Sequence, residues 1–208
     1  MNVMNDYSYK LDKFLIEDLK KIKNINILEF GVRKGISTKF FLEIAKLNNG
    51  RVYSVDIDDC SNLFNDKNWK FFKARDDDFD YIQKNIPTQL DIIYLDSVHE
   101  AKHVENIFYN YFSFLKIGGY FIIDDISHLP YLKDKDRNNF FNEINNQETF
   151  EKILDIYNVN NDNFDLYFSF ISSGLAKIIK KNNVLLNKSK KIFSRKSSIK
   201  NFIRKLVK

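Results

Sequence analysis

The sequence predicts an α/β fold, a doubly wound and mostly parallel seven-stranded sheet that ends in an antiparallel hairpin. Short apolar runs alternate with stretches of helical spacing along most of the chain. This alternation is typical of βαβ crossovers and of a parallel sheet covered on both faces. Near its end, two extended runs at 164–171 and 175–179 are joined only by Ser172, Ser173 and Gly174. So short a connection predicts a hairpin added to the parallel sheet.

The individual elements follow from the local spacing of apolar residues. An N-terminal helix is predicted over 8–22, because Leu11, Leu15 and their apolar neighbours recur on one helical face. Gly118 and Gly119 predict a tight entry into the fifth strand. Buried strands are predicted at 25–30, 51–56, 69–73, 91–95 and 120–123. Helices are predicted near 37–47, 77–85 and 100–115, with a further short helix near 138–146.

Length and composition indicate one domain with a full core and a short appendage, since the chain has 208 residues. Cys60 is the single cysteine, which excludes an internal disulfide and favours a reducing compartment. The N-terminus has no secretory signal pattern, and no apolar run approaches the ~20 residues that span a bilayer. We therefore expect a cytoplasmic protein.

The net charge of +5 hides an asymmetry along the chain. Residues 1–165 contain 21 basic and 28 acidic residues, whereas residues 166–208 contain 12 basic residues and no acid. Beyond Lys180 the sequence is also rich in Ser and Asn. These changes predict a folded domain at 1–181 and a basic tail at 182–208.

The tail has the pattern of a short basic amphipathic helix. Its apolar residues recur at i, i+3, i+4 and i+7: Ile199, Phe202, Ile203 and Leu206. Ser197 or Ser198 would be the N-cap. Such a helix suits an anionic membrane surface, here the inner face of a cell membrane. The alternatives are packing on the body, packing on a second subunit of a homo-oligomer, and disorder. Nucleic acid is not expected, because the body is acidic and no aromatic-basic platform is present.

The turn after the first predicted strand indicates a ligand site. Glu29 ends the apolar run, Gly31 and Gly35 follow, and a helix begins near Ser37. Asp56 ends the second strand, 21 residues after Gly35, where a ribose-binding acid is expected in such folds. The middle glycine of a dinucleotide motif is missing, so a ligand without phosphates, carrying adenosine and an amino acid, fits better. The alternative is that both glycines only allow tight packing of helix on strand.

Three acids follow the fourth and fifth predicted strands, at positions where parallel strands bring their carboxyl ends together. They are Asp96, Asp124 and Asp125. Carboxylates held this close repel one another unless a cation joins them, and oxygen ligands suit Mg²⁺ or Mn²⁺. The alternative is that they cap helices or lie in solvent.

The three histidines differ in what they predict. His99 follows Asp96 near the start of a helix, where an imidazole could act as a general base or could simply pack. His103, one turn later, is expected to be a solvated or packed helix residue. His128 follows the acid pair and could also approach a substrate. Asp76, after the third strand, could meet an adenine amino group or cap the next helix.

Taken together, these motifs resemble the class I S-adenosylmethionine-dependent methyltransferases. The resemblance covers roughly 25–180 and rests on the order of the acids and glycines just described, closing on Gly118-Gly119 and the final hairpin. Within the class, the segments 95–99 and 118–125 look like the branch that includes metal-dependent O-methyltransferases of macrolide sugars and cephalosporin-hydroxylase-like proteins. The resemblance implies a Rossmann-like methyltransferase fold.

The resemblance also implies roles for individual residues. Glu29, Gly31 and Gly35 would line the methionine part of the cofactor. Asp56 would bind the ribose and Asp76 the adenine. Asp96 would contribute to the cofactor site and, with Asp124 and Asp125, hold the divalent cation. His99 and Asp96 would be the catalytic residues. The Ser97-Val98 pair departs from the pattern, and the 127–165 region has no recognisable motif, so the acceptor is not carried over.

The leading functional hypothesis is therefore metal-assisted O-methylation, by S-adenosylmethionine and Mg²⁺ or Mn²⁺, of a saccharide or other small hydroxylated acceptor. The alternative is a non-catalytic protein that keeps the fold and the cofactor and is recruited to a membrane or complex by its basic tail. An NAD-dependent oxidoreductase is disfavoured by the glycine spacing.

Overall fold

The computed structural model describes residues 6–128, 140–195 and 198–207. They form a seven-stranded sheet in the order β3-β2-β1-β4-β5-β7-β6. The first five strands of this order are parallel, and β7 runs antiparallel to both β5 and β6. The elements in chain order are α1 Asp6–Leu19, β1 Asn26–Phe30, α2 Ile36–Leu47, β2 Arg51–Asp56, β3 Trp69–Lys73, α3 Phe79–Gln83, β4 Leu90–Leu95, α4 Ala101–Tyr111, β5 Leu115–Asp124, α5 Phe140–Asn158, β6 Phe164–Ser169, β7 Leu175–Lys180 and α6 Ile199–Leu206.

The sheet is buried on both faces, as its parallel strands require. Strand β4 lies at the centre and is buried along its whole length. Its side chains alternate between the two cores. Ile92 and Tyr94 pack with α1 and α2 on one face. Ile93 and Leu95 pack with α4 and α5 on the other. The predicted fold class is confirmed, because a near-continuous apolar strand can be satisfied only by cover on both sides.

Helices α1, α3 and α4 end within a few residues of their predicted bounds, whereas two other elements differ more from the sequence prediction. Strand β5 begins at Leu115, so Gly118 and Gly119 lie inside it and do not mark its entry. The pairing of β4 with β5 shifts register at this level, and a Cβ on Gly119 would lie 2.8 Å from the carbonyl oxygen of Asp91. The glycines therefore accommodate an irregularity within the strand. Helix α5 is much longer than the short helix predicted near 138–146, of which residues 138 and 139 lie outside the described part.

The first half of the predicted tail lies against the body of the protein. Asn160, buried at the end of α5, accepts a 2.8 Å hydrogen bond from the backbone N–H of Asn187 and donates one of 2.9 Å to its carbonyl oxygen. Tyr109 on α4 donates to the same carbonyl, and Leu186 packs against the core. In the described residues, no helix is long and apolar enough to cross a membrane.

Candidate active site

The glycine turn between β1 and α2 requires glycine for backbone reasons. Gly31 has φ +91°, and a Cβ there would lie 2.0 Å from the carbonyl oxygen of Asp96. Gly35 has φ +71°, and a Cβ there would lie 2.7 Å from the ring of Phe64. Side chains are therefore excluded both by the left-handed conformation and by neighbouring chain. Gly31 lets the turn lie directly against the backbone at the end of β4, and Gly35 lets it lie against the loop that carries Phe64.

Asp56 braces this turn from the end of β2. Its Oδ2 accepts hydrogen bonds from the backbone N–H groups of Val32 (2.7 Å) and Arg33 (3.0 Å), and its Oδ1 accepts one from Asp58 (2.9 Å). Partial burial acts to raise the pKa of Asp56, but these N–H donors outweigh it and lower the pKa overall. A carboxylate offers about four acceptor positions, so Asp56 keeps capacity for a hydroxyl of a ligand.

Glu29 is fully buried beneath the turn. Its Oε2 accepts hydrogen bonds from Thr38 (2.7 Å) and Ser54 (2.6 Å). Its Oε1 has no hydrogen-bond partner among the described residues. Burial raises the pKa of Glu29 to about 7, although the hydroxyl donors oppose that rise. A buried carboxylate oxygen without a donor is costly, and it indicates a place for a donor or cation from a ligand.

A cleft of about 220 Å³ opens beside the turn, at the carboxyl ends of β1 and β4. Gly31 and Asp96 line it, together with Tyr7 of α1. A second cleft of about 550 Å³ adjoins it, because Lys34 and Ile36 line both. Its lining residues are Ser8, Asp12, Ile16, Lys34, Gly35, Ile36, Lys39, Phe40, Glu43, Leu63 and Phe64. Ligands of open parallel sheets bind at this edge.

Three of the predicted site residues meet at the edge of this cleft. Nε2 of His99 lies 3.5 Å from Oδ1 of Asp96 and 3.4 Å from Oδ2 of Asp125. One ligand atom from each of the three residues lies within 4.8 Å of the others, close enough to hold one metal ion. We call Asp96, His99 and Asp125 the acid–histidine group. Asp125 has φ +57°, so the backbone turns sharply just after β5 and separates its side chain from that of Asp124.

Asp124 is not part of this group, because its carboxylate points into the core. It is 1 % exposed, and its Oδ1 accepts a hydrogen bond from the ammonium group of Lys10, which is 0 % exposed. Lys10 also donates to Ser173 (2.6 Å) and lies 3.8 Å from Oδ1 of Asp125. The ammonium group thus occupies a position where the sequence predicted a metal ion between the two acids.

Two tyrosines connect Asp124 to Asp96. The Tyr94 hydroxyl donates to Asp124 (2.6 Å) and lies 2.7 Å from the Tyr7 hydroxyl, which is hydrogen-bonded to Asp96. Tyr7 is the donor in that bond, so each end of the row is a carboxylate that accepts from a tyrosine. Burial, and then the charge of Asp124, raise the pKa of Asp96, while the hydrogen bond from Tyr7 opposes the rise. Burial likewise raises the pKa of both tyrosines, which therefore stay protonated.

Sequence reasoning missed Tyr7 and Lys10, both of which lie on the N-terminal helix. A signal for them existed. Tyr7 and Lys10 precede Phe14 by seven and four residues, so both lie on the apolar face of α1. A lysine on the buried face of an amphipathic helix requires a buried acid as its partner.

The second predicted cofactor acid, Asp76, lies at a different point of the same edge. Its carboxylate is nearly buried, is hydrogen-bonded to Ser97, and lies 2.7 Å from Nε2 of His103. This hydrogen bond raises the pKa of His103. His103 is thus a packed helix residue with a specific partner. The ring of His128 packs against that of Phe150, with centroids 4.8 Å apart and planes tilted by 47°.

Comparison with known proteins agrees with this arrangement. A family model described as a methyltransferase domain matches residues 28–126, which include the glycine turn, Asp56 and the acid–histidine group. This match, a little under half of the chain, and the fold support a class I S-adenosylmethionine-dependent methyltransferase. No curated protein matches the chain in sequence.

Solved structures resemble the chain in fold. They include MycE of mycinamycin biosynthesis, crystallised with Mg, SAH and mycinamycin VI, at TM-score 0.60 and 19% identity over 85% of this chain. A candidate caffeoyl-CoA O-methyltransferase from Staphylococcus aureus has TM-score 0.60 and 20% identity, covering 84% of this chain and 83% of its own. SAH-bound PaMTH1 of Podospora anserina has TM-score 0.60 and 14% identity, covering 76% and 72%. The chain spans half the length of MycE.

The residues around the clefts fit S-adenosylmethionine. The unpartnered oxygen of Glu29 suits a cationic donor, Asp56 keeps acceptor capacity for a ribose hydroxyl, and Gly31 and Gly35 line adjoining clefts. Asp76 retains its position at the end of β3. The acid–histidine group fits a divalent cation, although through Asp96 and Asp125 without Asp124.

The first prediction concerns Glu29. Its folded-state pKa of about 7 lies above the ordinary value of 4.5. Because the unfolded chain loses this proton more readily, the free energy of unfolding falls as the pH rises from about 4.5 to about 7. Between pH 5 and 8, the free energy of unfolding of the wild type should fall by roughly 2–3 kcal/mol relative to Glu29→Gln. Urea unfolding of the ligand-free proteins at several pH values measures this difference. For Glu17→Gln, an exposed control, the free energy of unfolding should change with pH as it does for the wild type. The prediction would be contradicted if Glu29→Gln also showed the same pH dependence as the wild type.

The second prediction concerns the buried ion pair. Lys10→Met leaves Asp124 without its cation and should lower the free energy of unfolding by about 3–5 kcal/mol. The exposed Lys13→Met on the same helix serves as the control and should have little effect. Adding Asp124→Asn to Lys10→Met should restore part of the loss, as chemical denaturation of all four proteins would show. Equal stability of Lys10→Met and Lys13→Met would disprove the assigned pair.

Proposed function

We propose that this methyltransferase transfers the methyl group of S-adenosylmethionine to a hydroxyl oxygen of a saccharide or other small hydroxylated acceptor, with help from a divalent cation. The observation that carries the proposal is the acid–histidine group at the rim of the cleft. It combines a histidine base with two carboxylates at the edge where the cofactor fits. Proton removal and orientation of a hydroxyl are what O-methylation requires of the protein, because the sulfonium already activates the methyl group.

The cofactor would lie along the glycine turn. Its amino group would approach the unpartnered oxygen of Glu29, its ribose would bind Asp56, and its adenine would meet Asp76. Ser97 and His103 hold the Asp76 carboxylate in one orientation, so this acid is already positioned. Tyr7 on α1 lines the same cleft as Gly31 and would help to exclude water from it.

Asp96 and Asp125 would hold the cation. Mg²⁺ takes oxygen ligands and retains open positions for water or substrate, which leaves the imidazole of His99 free. When bound, the ion would lower the pKa of an acceptor hydroxyl and fix its orientation.

His99 would accept the hydroxyl proton at Nε2. The imidazolium formed in this way would lie within 3.5 Å of two carboxylates, which stabilise its charge. The oxygen then attacks the methyl carbon, the carbon–sulfur bond breaks, and the electron pair of that bond passes to sulfur. Alignment of the oxygen with the methyl group supplies much of the rate gain.

Features of the known structures support this proposal. MycE was crystallised with Mg, SAH and mycinamycin VI, and the Staphylococcus aureus protein is a candidate caffeoyl-CoA O-methyltransferase. At 19–20% identity these likenesses concern the fold, and the acceptor class rests on the chemistry of the acid–histidine group.

The third prediction tests His99 as the base. His99→Gln should lower kcat by roughly 10²–10⁴-fold, because general base catalysis contributes about that much. Its affinity for S-adenosylmethionine should be unchanged in calorimetry. Product mass analysis across sugar and lipid-linked acceptors identifies the substrate for the assay. His128→Gln is the control and should keep the wild-type rate. A wild-type rate in His99→Gln would refute the role of this residue. Cofactor binding without any methylated product would favour the non-catalytic alternative.

The fourth prediction tests the cation. Asp125→Asn should weaken Mn²⁺ binding by at least roughly tenfold, because it removes a carboxylate from the site. His99→Gln should bind Mn²⁺ as the wild type does if His99 is a base, and more weakly if it is a ligand. Calorimetric titration without cofactor provides the readout, with the exposed Asp59→Asn as control. Equal Mn²⁺ affinity in Asp125→Asn and the control would exclude the assigned site.

A further inference from the structure

The last helix leaves its apolar face in solvent. Helix α6 contains no buried residue, and the Ser198 side chain caps it by accepting from the backbone N–H of Asn201. Its apolar residues lie at helical spacing on one face, and each is more than half exposed. They are Ile199 (80 %), Phe202 (64 %), Ile203 (54 %) and Leu206 (71 %). An apolar stripe of this kind is normally covered in a soluble protein.

The same segment is strongly basic. Residues 182–208 contain nine Lys or Arg residues and no acid. In the part of this segment that the structure describes, no basic side chain lies within 4.0 Å of a carboxylate oxygen of another described residue. The body at 1–165 has a net charge of −7, yet no residue of α6 is buried against it.

Hydrogen bonds hold the segment that precedes α6 against the body. The Asn160–Asn187 hydrogen bonds hold its first part, and the backbone N–H of Ile192 donates to Asp155 at 2.7 Å. Ile199 follows Ile192 by seven residues, and Phe193 between them is 90 % exposed. The amphipathic helix therefore begins seven residues after the Ile192–Asp155 hydrogen bond, and the exposed aromatic side chain of Phe193 lies between the two.

We propose that α6 binds the surface of an anionic lipid bilayer, with its apolar face among the acyl chains and its basic residues at the lipid headgroups. Charge and apolar exposure together favour this partner. Nucleic acid would attract the basic residues but would leave the aliphatic stripe in water. A symmetric contact with a second copy would cover the stripe but would bring two sets of uncompensated basic residues together. A negatively charged bilayer satisfies both faces and keeps the acidic body away from the surface.

The test is sedimentation of the full chain with vesicles of phosphatidylcholine alone and of phosphatidylcholine with phosphatidylglycerol. We expect binding to the anionic vesicles that is at least roughly tenfold stronger than to neutral ones and that weakens with added salt. Phe202→Ser/Leu206→Ser and Lys200→Gln/Arg204→Gln/Lys205→Gln should each reduce it by at least roughly tenfold. The matched controls are Leu47→Ser/Ile117→Ser and Lys67→Gln/Lys70→Gln/Lys73→Gln, which change equally exposed residues on the body and should bind as wild type does.

Several results would overturn the proposal. The first is equal binding to both vesicle types. The second is unchanged binding in the two α6 variants, and the third is a loss of binding in the control variants as large as that in the α6 variants. Light scattering after size exclusion and titration with duplex DNA complete the experiment. A dimer that Phe202→Ser/Leu206→Ser dissociates, or DNA binding stronger than vesicle binding, would assign α6 to those partners instead. Circular dichroism of each variant verifies that its domain is folded.

Discussion

The buried contact between Lys10 and Asp124 is the interaction on which the carboxyl edge of this sheet depends. Strands β4 and β5 run parallel and end side by side. Three acids, Asp96, Asp124 and Asp125, therefore lie close together at a partly buried edge of the sheet. Carboxylates so placed repel one another. The chain offsets this repulsion with one ammonium group from α1, which neutralises the most buried acid and lies 3.8 Å from the next.

This pair also decides which groups remain for chemistry. Because Asp124 is paired with Lys10 and Tyr94, it faces the core. Asp125, turned outward by its left-handed backbone, faces His99 and Asp96. The hydroxyl groups of Tyr94 and Tyr7 then connect Asp124 to Asp96. An N-terminal helix outside the parallel sheet is therefore a structural part of the site, and it contributes Tyr7 to the lining of the cleft.

Much of this arrangement was predictable from local patterns. The strands are confirmed to within a residue or two at most ends, because each is an apolar run bounded by polar residues. The chief exception, the start of β5, depends on how β4 pairs with it, which no local pattern records. Glu29, Asp56 and Asp96 lie at strand ends as expected, since the end of a buried strand is visible as the point where apolar residues stop. The roles assigned to these acids in binding a cofactor stay predictions.

The sequence by itself determined the order of strands and helices, the glycine turn, the edge at which the acids gather and the basic amphipathic character of α6. Periodicity and residue type carry that information locally. Only the tertiary structure decided which acids face one another and which face the core. That choice depends on Lys10, more than one hundred residues from Asp124 along the chain. It also depends on the backbone angle at Asp125. A buried carboxylate such as Asp124 is stable only where the fold places an opposite charge beside it. The spacing of residues along the chain does not indicate which cation that will be.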